Sequence, residues 1–168
     1  NDYFHIETTL LETWQQAWKN KEHKLFEGLL EDFGKFQTFD PEPEGHVEDT
    51  RDVVEYDWIF HDKDASLSQF SQTIESYLAQ FKQVSSFDIK AKEIFIDKNW
   101  RYYNGFTDLI KLRLSVELRG LNYDDHKVMD RGEVLVKVAK NKGFWQINNL
   151  KFLSMKRFSS SKKHSFEK

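Results

Sequence analysis

The chain of 168 residues contains no cysteine, two prolines and seven glycines. Without cysteine there is no disulfide framework, no thiolate nucleophile and no cysteine-held zinc or iron–sulfur centre. With so little glycine there is no Gly-rich loop to cradle a phosphate, and no Ser/His/Asp set stands in a nucleophile turn. No run approaches the ~20 apolar residues that span a bilayer, so no membrane span is expected. A formal net charge of -3, with 32% of residues charged, gives no basic excess for nucleic acid. No motif implies a cofactor. The chain starts at Asn1 without a methionine or a leader-like apolar run. Together with the missing cysteine, this fits a mature exported product or one cut from a longer chain.

What the chain has in plenty is aromatic residues, 15 Phe and 5 Trp among them. Large flat side chains either fill a core or wall an apolar pocket. Strict alternation marks where they are anchored. Along 108–119, Ile110, Leu112, Leu114, Val116 and Leu118 point one way, and Lys111, Arg113, Ser115, Glu117 and Arg119 the other. That is a strand with one buried face. Residues 132–140 repeat the pattern through Val134, Val136 and Val138, and 144–153 supply a third strand with Trp145 and Ile147 inward. A fourth, 84–97, slips phase between Ala91 and Ile94, and the 144–153 strand slips between Ile147 and Leu150. One extra residue near Lys92–Glu93 and another near Asn148–Asn149 would restore each face; such bulges bend and twist a sheet. The four strands are therefore expected to curl around a hollow.

Ahead of them, residues 1–19 carry a helical stripe through Leu10, Leu11, Trp14, Ala17 and Trp18, and 21–33 a second through Leu25, Phe26, Leu29, Leu30 and Phe33, with Gly34 as its cap. A strand is predicted over 35–40. Asp40 to Asp64 then holds ten acidic residues against Arg51 and Lys63, and is read as a surface excursion with a strand at 53–60. Ser66 and Gln69 form a capping box for a third helix with Phe70, Ile74, Tyr77, Leu78 and Phe81 on one face. His46 with Glu48 and Asp49, and His61 with Asp62 and Asp64, are weighed as metal ligands. Asp62-Lys63-Asp64 begins like a calcium loop, but Leu67 and Thr73 stand where its glycine and bidentate glutamate belong. No metal site is assigned. Residues 1–155 are expected to form a single domain, with 40–65 as its acidic excursion. Residues 156–168 are expected to be a flexible basic polar tail.

This order of elements resembles the NTF2-like superfamily, which includes the SnoaL-like cyclases and ketosteroid isomerase. The matching residues are Trp14, Ala17 and Trp18, the run Leu29-Leu30-Glu31-Asp32-Phe33, and Gly143-Phe144-Trp145-Gln146-Ile147. The resemblance spans roughly residues 3–155. It implies an α+β cone, three N-terminal helices packed on a curled, mostly antiparallel sheet, with a homodimer formed through the outer sheet face. It also implies a catalytic position for Asp40, in Phe39-Asp40-Pro41, which resembles the spot of the proton-shuttling aspartate of ketosteroid isomerase. No oxyanion partner accompanies it: Gln15, Gln16 and Trp18 stand near one position, and Val134, Val136 and Val138 lie on the strand that would supply the other.

Two readings of function follow. The first is a non-catalytic domain binding a small apolar ligand or a protein partner, its pocket lined by Trp14, Trp18, Tyr56, Trp58, Glu93, Trp145 and Asn149. The alternative is an isomerase, cyclase or dehydratase in which Asp40, with Asn149 or Glu93, moves a proton on a small ketone or polyketide. An interaction module built on the acidic excursion is a third. A full cavity, or Asp40 on the outside, would remove the second.

Overall fold

The computed structural model describes residues 2–50, 52–96 and 109–160; the side chains of 2, 45–50 and 141 are left aside. The chain opens with α1 (Asp2–His5), a π-helical segment (Ile6–Leu11) and α2 (Glu12–Lys19). The residues between them stay in the right-handed region, so the three run on as one helix. Thr8 and Thr9 donate their hydroxyls to the Phe4 and His5 carbonyls at 2.9 and 2.5 Å. Such bonding back onto the preceding turn accompanies bending of a helix. The expected stripe, from Leu10 to Trp18, is buried, and Ile6 extends it by a turn.

The second expected helix is corrected by the structure. Only α3 (His23–Glu27) is helical, and β1 (Leu30–Phe39) starts where the helix was predicted to continue. The N-terminal part is thus one long helix and a short one, and α4 comes later. Pairing with a distant strand outweighs the local pattern: the Ile147 amide donates to the Leu29 carbonyl at 2.7 Å, and Leu30 lies beside Ile147 in a parallel ladder. Phe33, assigned to the apolar stripe, is 92% exposed. Gly34 is no helix cap. A Cβ there would lie 2.8 Å from the Asn148 carbonyl and 2.4 Å from the Phe36 ring, so glycine is what lets β1 approach the last strand.

The acidic excursion also enters the sheet. It forms β2 (Glu44–Thr50), β3 (Val53–Asp57) and β4 (Phe60–Ala65), the predicted 53–60 strand being split at Trp58–Ile59. After α4 (Leu67–Ala79) come β5 (Phe81–Ile96), β6 (Leu109–Asn122), β7 (Lys127–Asn141) and β8 (Phe144–Ser160). These make one curled sheet in the order β2-β3-β8-β7-β6-β5, with β1 parallel to β8 and antiparallel to β4. β8 runs through the boundary drawn at residue 155. Residues 156–160 pair with β3 and 156–159 with β7, and Lys156 reaches Glu55 at 3.1 Å, so part of the expected flexible tail is ladder. Opposite charge across the strands favours this pairing. Residues 161–168 lie outside the described part.

Both predicted bulges are present. The register of β5 shifts between Ala91 and Glu93, and Asn148 is the extra residue of β8 where Lys137 meets Asn149 and Val138 meets Ile147. Three more were not foreseen, at Lys82 and Ser85 of β5 and at Leu153 of β8; Gly132 faces the last, with the Ser154 carbonyl 2.0 Å from where a Cβ would stand. The capping box holds as expected: Gln69 N–H donates to Ser66 Oγ at 3.3 Å, and Ser66 N–H to Gln69 Oε1 at 3.1 Å. α2 packs on β5 and α4 on β1, closing the concave face over the core. No helix among the described residues is long and apolar enough to cross a membrane.

Gly28 and Gly34 should separate in a urea titration. Gly28 has φ -63° with no contact tighter than 3.4 Å for an added Cβ. Gly28→Ala should therefore be neutral or stabilise by about 0.4–1 kcal/mol through the unfolded chain. Gly34→Ala should destabilise by about 1–3 kcal/mol, the range for overpacking.

Candidate functional site: the interior of the cone

The hollow made by the bulges is lined by side chains from every layer, among them Trp14, Trp18, Trp58, Phe70, Tyr77 and Phe87. They interlock. Trp18 stacks on Phe87 with ring centres 4.8 Å apart and meets Tyr77 at 5.5 Å; Trp58 sits edge-on to Phe39 at 5.6 Å and to Tyr77 at 5.6 Å. Edge-to-face and offset contacts of this kind are how aromatic quadrupoles prefer to pack. The space left is about 20 Å³, close to the ~10–15 Å³ that one water needs by the same measure.

Of the expected pocket residues, Trp14, Trp18 and Trp58 come together here. The others do not. Tyr56 borders an outer groove with Glu42, Gln80 and Arg157. Glu93 is on the outer face, where its carboxylate accepts from Arg113 Nε at 2.7 Å. Asn149 pairs with Lys137 and lies beside Lys35, also outward. The bulge explains this: because Asn148 is the extra residue, the inward parity passes to Leu150 and Asn149 turns away. Trp145 is buried, but borders a separate groove beside the β7–β8 turn.

Asp40 is outside the cavity. Its side chain is 39% exposed and its Oδ1 lies 2.9 Å from His61 Nε2; His61 Nδ1 is 2.8 Å from Thr38 Oγ1. With the proton on Nε2, the imidazole donates to Asp40 and accepts the Thr38 hydroxyl. The Asp40 amide also donates to the Ile59 carbonyl at 3.0 Å. The cluster clasps β1 to β4 where their register is irregular, between Gln37 and Phe39. The side chains of His46, Glu48 and Asp49 lie outside the described residues.

The most deeply buried charges were missed by sequence reasoning. Asp130, 2% exposed, accepts from Arg157 Nε at 2.7 Å, from Arg157 Nη2 at 2.8 Å and from the Tyr77 hydroxyl at 2.7 Å. Arg157 Nη1 donates to Gln80 Oε1 at 2.9 Å, Gln80 donates on to the Pro41 carbonyl, and the guanidinium lies 4.9 Å over the Trp58 ring. Burial, and then the neighbouring Asp130 charge, raise the Tyr77 phenol well above its ordinary 10.0. Burial opposes the Arg157 charge, yet its hydrogen bonds to Asp130 prevail and raise it. The sequence carried a signal. Asp130 shares even parity with Val128, Val134, Val136 and Val138, but it lies two residues ahead of the alternating run 132–140, and Arg157 lies in the basic polar segment expected to be a tail.

The buried indole N–H groups of Trp14, Trp18, Trp58 and Trp145 meet no acceptor among the described residues. The indoles are placed by packing rather than by hydrogen bonding. Among the described residues Tyr77 is the one ionisable side chain on the cavity wall, and its proton is committed to Asp130.

No protein-family model and no curated protein matches the sequence. Solved structures do match in fold. A putative scytalone dehydratase from Novosphingobium aromaticivorans superposes with a TM-score of 0.57 at 11% identity, over 99% of this chain and 89% of that one. A hexachlorocyclohexane dehydrochlorinase (LinA), type 2, gives 0.58 at 8% identity, over 99% and 93%. A designed protein carrying NTF2 in its name gives 0.50 at 10% identity, over 89% and 98%. The fold is that of the NTF2-like superfamily, an α+β cone on a curled open sheet.

Replacing Asp130 by Ala leaves Arg157 buried without its counter-charge and should cost about 3–5 kcal/mol. Tyr77→Phe should change the alkaline limb of stability. A phenol whose folded pKa is raised contributes stability that is fully present below 10.0 and is lost as pH rises through the folded value. Urea midpoints between pH 9 and 11 should therefore fall more steeply for the wild type than for Tyr77→Phe, and equal slopes would contradict the buried network.

Proposed function

We propose that this is a non-catalytic NTF2-like binding domain in which the cone interior has become core and binding takes place on the outer surface. The observation that carries this reading is the hollow itself. About 20 Å³ remains in it, against the ~300–1,000 Å³ of ordinary ligand pockets. Acid–base chemistry inside would need a free titratable group at the wall, and Tyr77 is engaged. Similarity in fold to enzymes does not bring their chemistry, because function lives in the site rather than the fold.

A second reading has one observation in its favour, the hydrogen-bonded series Thr38–His61–Asp40. There Asp40 would take a proton from an acidic carbon, with His61 stabilising its charge. The series is half exposed, no donor set for an enolate oxygen accompanies it among the described residues, and it already has a structural role at the β1–β4 edge.

Both readings meet the same experiment. Under the first, Trp18→Ala creates a cavity and costs about 3–5 kcal/mol. Added indole then raises the melting temperature of the variant and leaves the wild type unchanged. Small cyclic ketones likewise leave the wild-type melting temperature unchanged, and the protein does not accelerate deuterium exchange at their α-carbons. Acceleration that disappears in Asp40→Asn would overturn this reading in favour of the second.

A further inference from the structure

Outside the cone, the end of α4, the β6–β7 turn and the segment between β1 and β2 surround a groove of about 500 Å³. That is the size of a small-molecule site. Its walls include Glu42, Tyr56, Gln80, Tyr123, Asp124 and Arg157. Arg157 is 9% exposed, and its charged end rather than its stem stands at the groove. Nη1 donates to Gln80 Oε1 at 2.9 Å and the guanidinium carbon lies 5.4 Å from the centre of the Phe81 ring; both of those residues line the groove as well.

This guanidinium is fixed in place, yet its donors are not used up. It carries five N–H groups. Nε and one N–H of Nη2 go to Asp130, and one N–H of Nη1 goes to Gln80. The second N–H of each terminal nitrogen meets no acceptor among the described residues, and buried donors left unpaired are uncommon and costly. Trp58 and Phe81 pack on the group at 4.9 and 5.4 Å, so it is held ready for a ligand at little further cost in order. Glu42, on the same groove, has no hydrogen bond or ion pair among the described residues. Burial opposes the Arg157 charge and Asp130 supports it; Glu42 is near enough to add to that support, although the ion pair of Arg157 is with Asp130. Two unfilled donors and an unfilled acceptor therefore border one space.

The charges narrow what can fill it. Asp130 already neutralises Arg157, while Glu42 and Asp124 stand on the walls, so an anion meets repulsion. An amine accepts nothing from a guanidinium and is repelled by it. A neutral group that accepts on one side and donates on the other satisfies both. We propose that this groove binds a neutral planar amide carried on an aromatic ring. The amide carbonyl accepts the two spare N–H groups of Arg157, its N–H donates to Glu42, and the rings of Tyr56 and Tyr123 flank the aromatic body. Tyr123, 64% exposed, has a face to offer. The site rests on the reading that binding lies outside the cone, and supplies its ligand class.

The test is an NMR titration of the intact protein with benzamide, and with acetophenone, benzoate and benzylamine as separate arms. Benzamide should bind saturably and shift the ring resonances of Tyr56 and Tyr123, while the indole resonances of Trp14 and Trp18 stay in place. Each of the other three lacks the donor, the neutrality or the acceptor, and should bind at least about threefold more weakly, one hydrogen bond or its equivalent. Glu42→Gln should weaken benzamide about threefold to tenfold, because a charge-assisted bond becomes a neutral one, and should tighten benzoate by removing a like charge. Tyr123→Ala should weaken benzamide by about the same factor through the lost ring contact. Both side chains are exposed, so both variants should keep the wild-type melting temperature within a few degrees, which separates lost binding from lost folding. Any of the other three compounds binding as tightly as benzamide, or benzamide affinity unchanged in both variants, would overturn the proposal. The absence of any benzamide binding would overturn this site and leave the core reading standing. Shifts confined to the Trp14 and Trp18 indoles would overturn both.

Discussion

The constraint on which the rest depends is curvature. Extra residues at Asn148 and Leu153 of β8, and the register shift past Ala91 of β5, bend a sheet that would otherwise lie open. A bent sheet has a hollow, and this chain fills it with rings rather than leaving it for a ligand. Interiors pack to crystal-like density with few voids as large as a water, and the space of about 20 Å³ between Trp14, Trp18, Trp58 and Tyr77 obeys that rule. The abundance of Phe and Trp is thus accounted for by the shape of the sheet. Filling is also why the indole N–H groups of Trp14, Trp18 and Trp58 go without acceptors among the described residues: the positions are chosen for area and shape, and the polar edge is tolerated.

The Asp130–Arg157 pair is the second consequence of the curl. β3 and β7 lie on either side of the C-terminal half of β8, and α4 brings Tyr77 and Gln80 over the same place. Two charges removed from water need excellent geometry and full hydrogen bonding to persist. Asp130 receives two bonds from Arg157 and one from Tyr77, and Arg157 passes a third to Gln80. The network ties the late strands to α4 and, through the Pro41 carbonyl, to the end of β1. The attraction within a buried pair is largely offset by the cost of taking both charges out of water. Disrupting one member is costly all the same.

Much of the architecture was legible because alternation is a local property. The face formed by Ile110 to Leu118, the capping box at Ser66 and the phase slips near Lys92 and Asn148 all follow from spacing alone. What misled was competition between local pattern and distant partner. Leu29, Leu30 and Phe33 keep helical spacing, yet the amide of Ile147 takes Leu29 into a strand-like path. The residues of the acidic excursion have few apolar side chains to announce strands; in the sheet, Glu55 and Asp57 of β3 meet the opposite charge of Lys156 on β8. The site was less legible still. Asn149 was expected to face inward because it stood at a bulge, and one residue of uncertainty in the bulge position reverses a side chain's face. Asp130 is a charge on a buried parity, two residues ahead of the run 132–140 whose alternation marks the strand.

The central claim is that the cone interior is core and does not open to a ligand. It is tested most directly by hydrogen exchange of the Trp14 and Trp18 indole N–H groups, followed by NMR with increasing denaturant. Neither group has a hydrogen bond among the described residues to protect it, so exclusion of water is what slows its exchange. A true core predicts that both exchange only through global unfolding, with an apparent free energy equal to that from urea melts and the same denaturant dependence. Exchange that is orders of magnitude faster and insensitive to denaturant, with the backbone amides of β6 and β7 still protected, would show an interior that opens while the sheet stays folded, and would contradict the account.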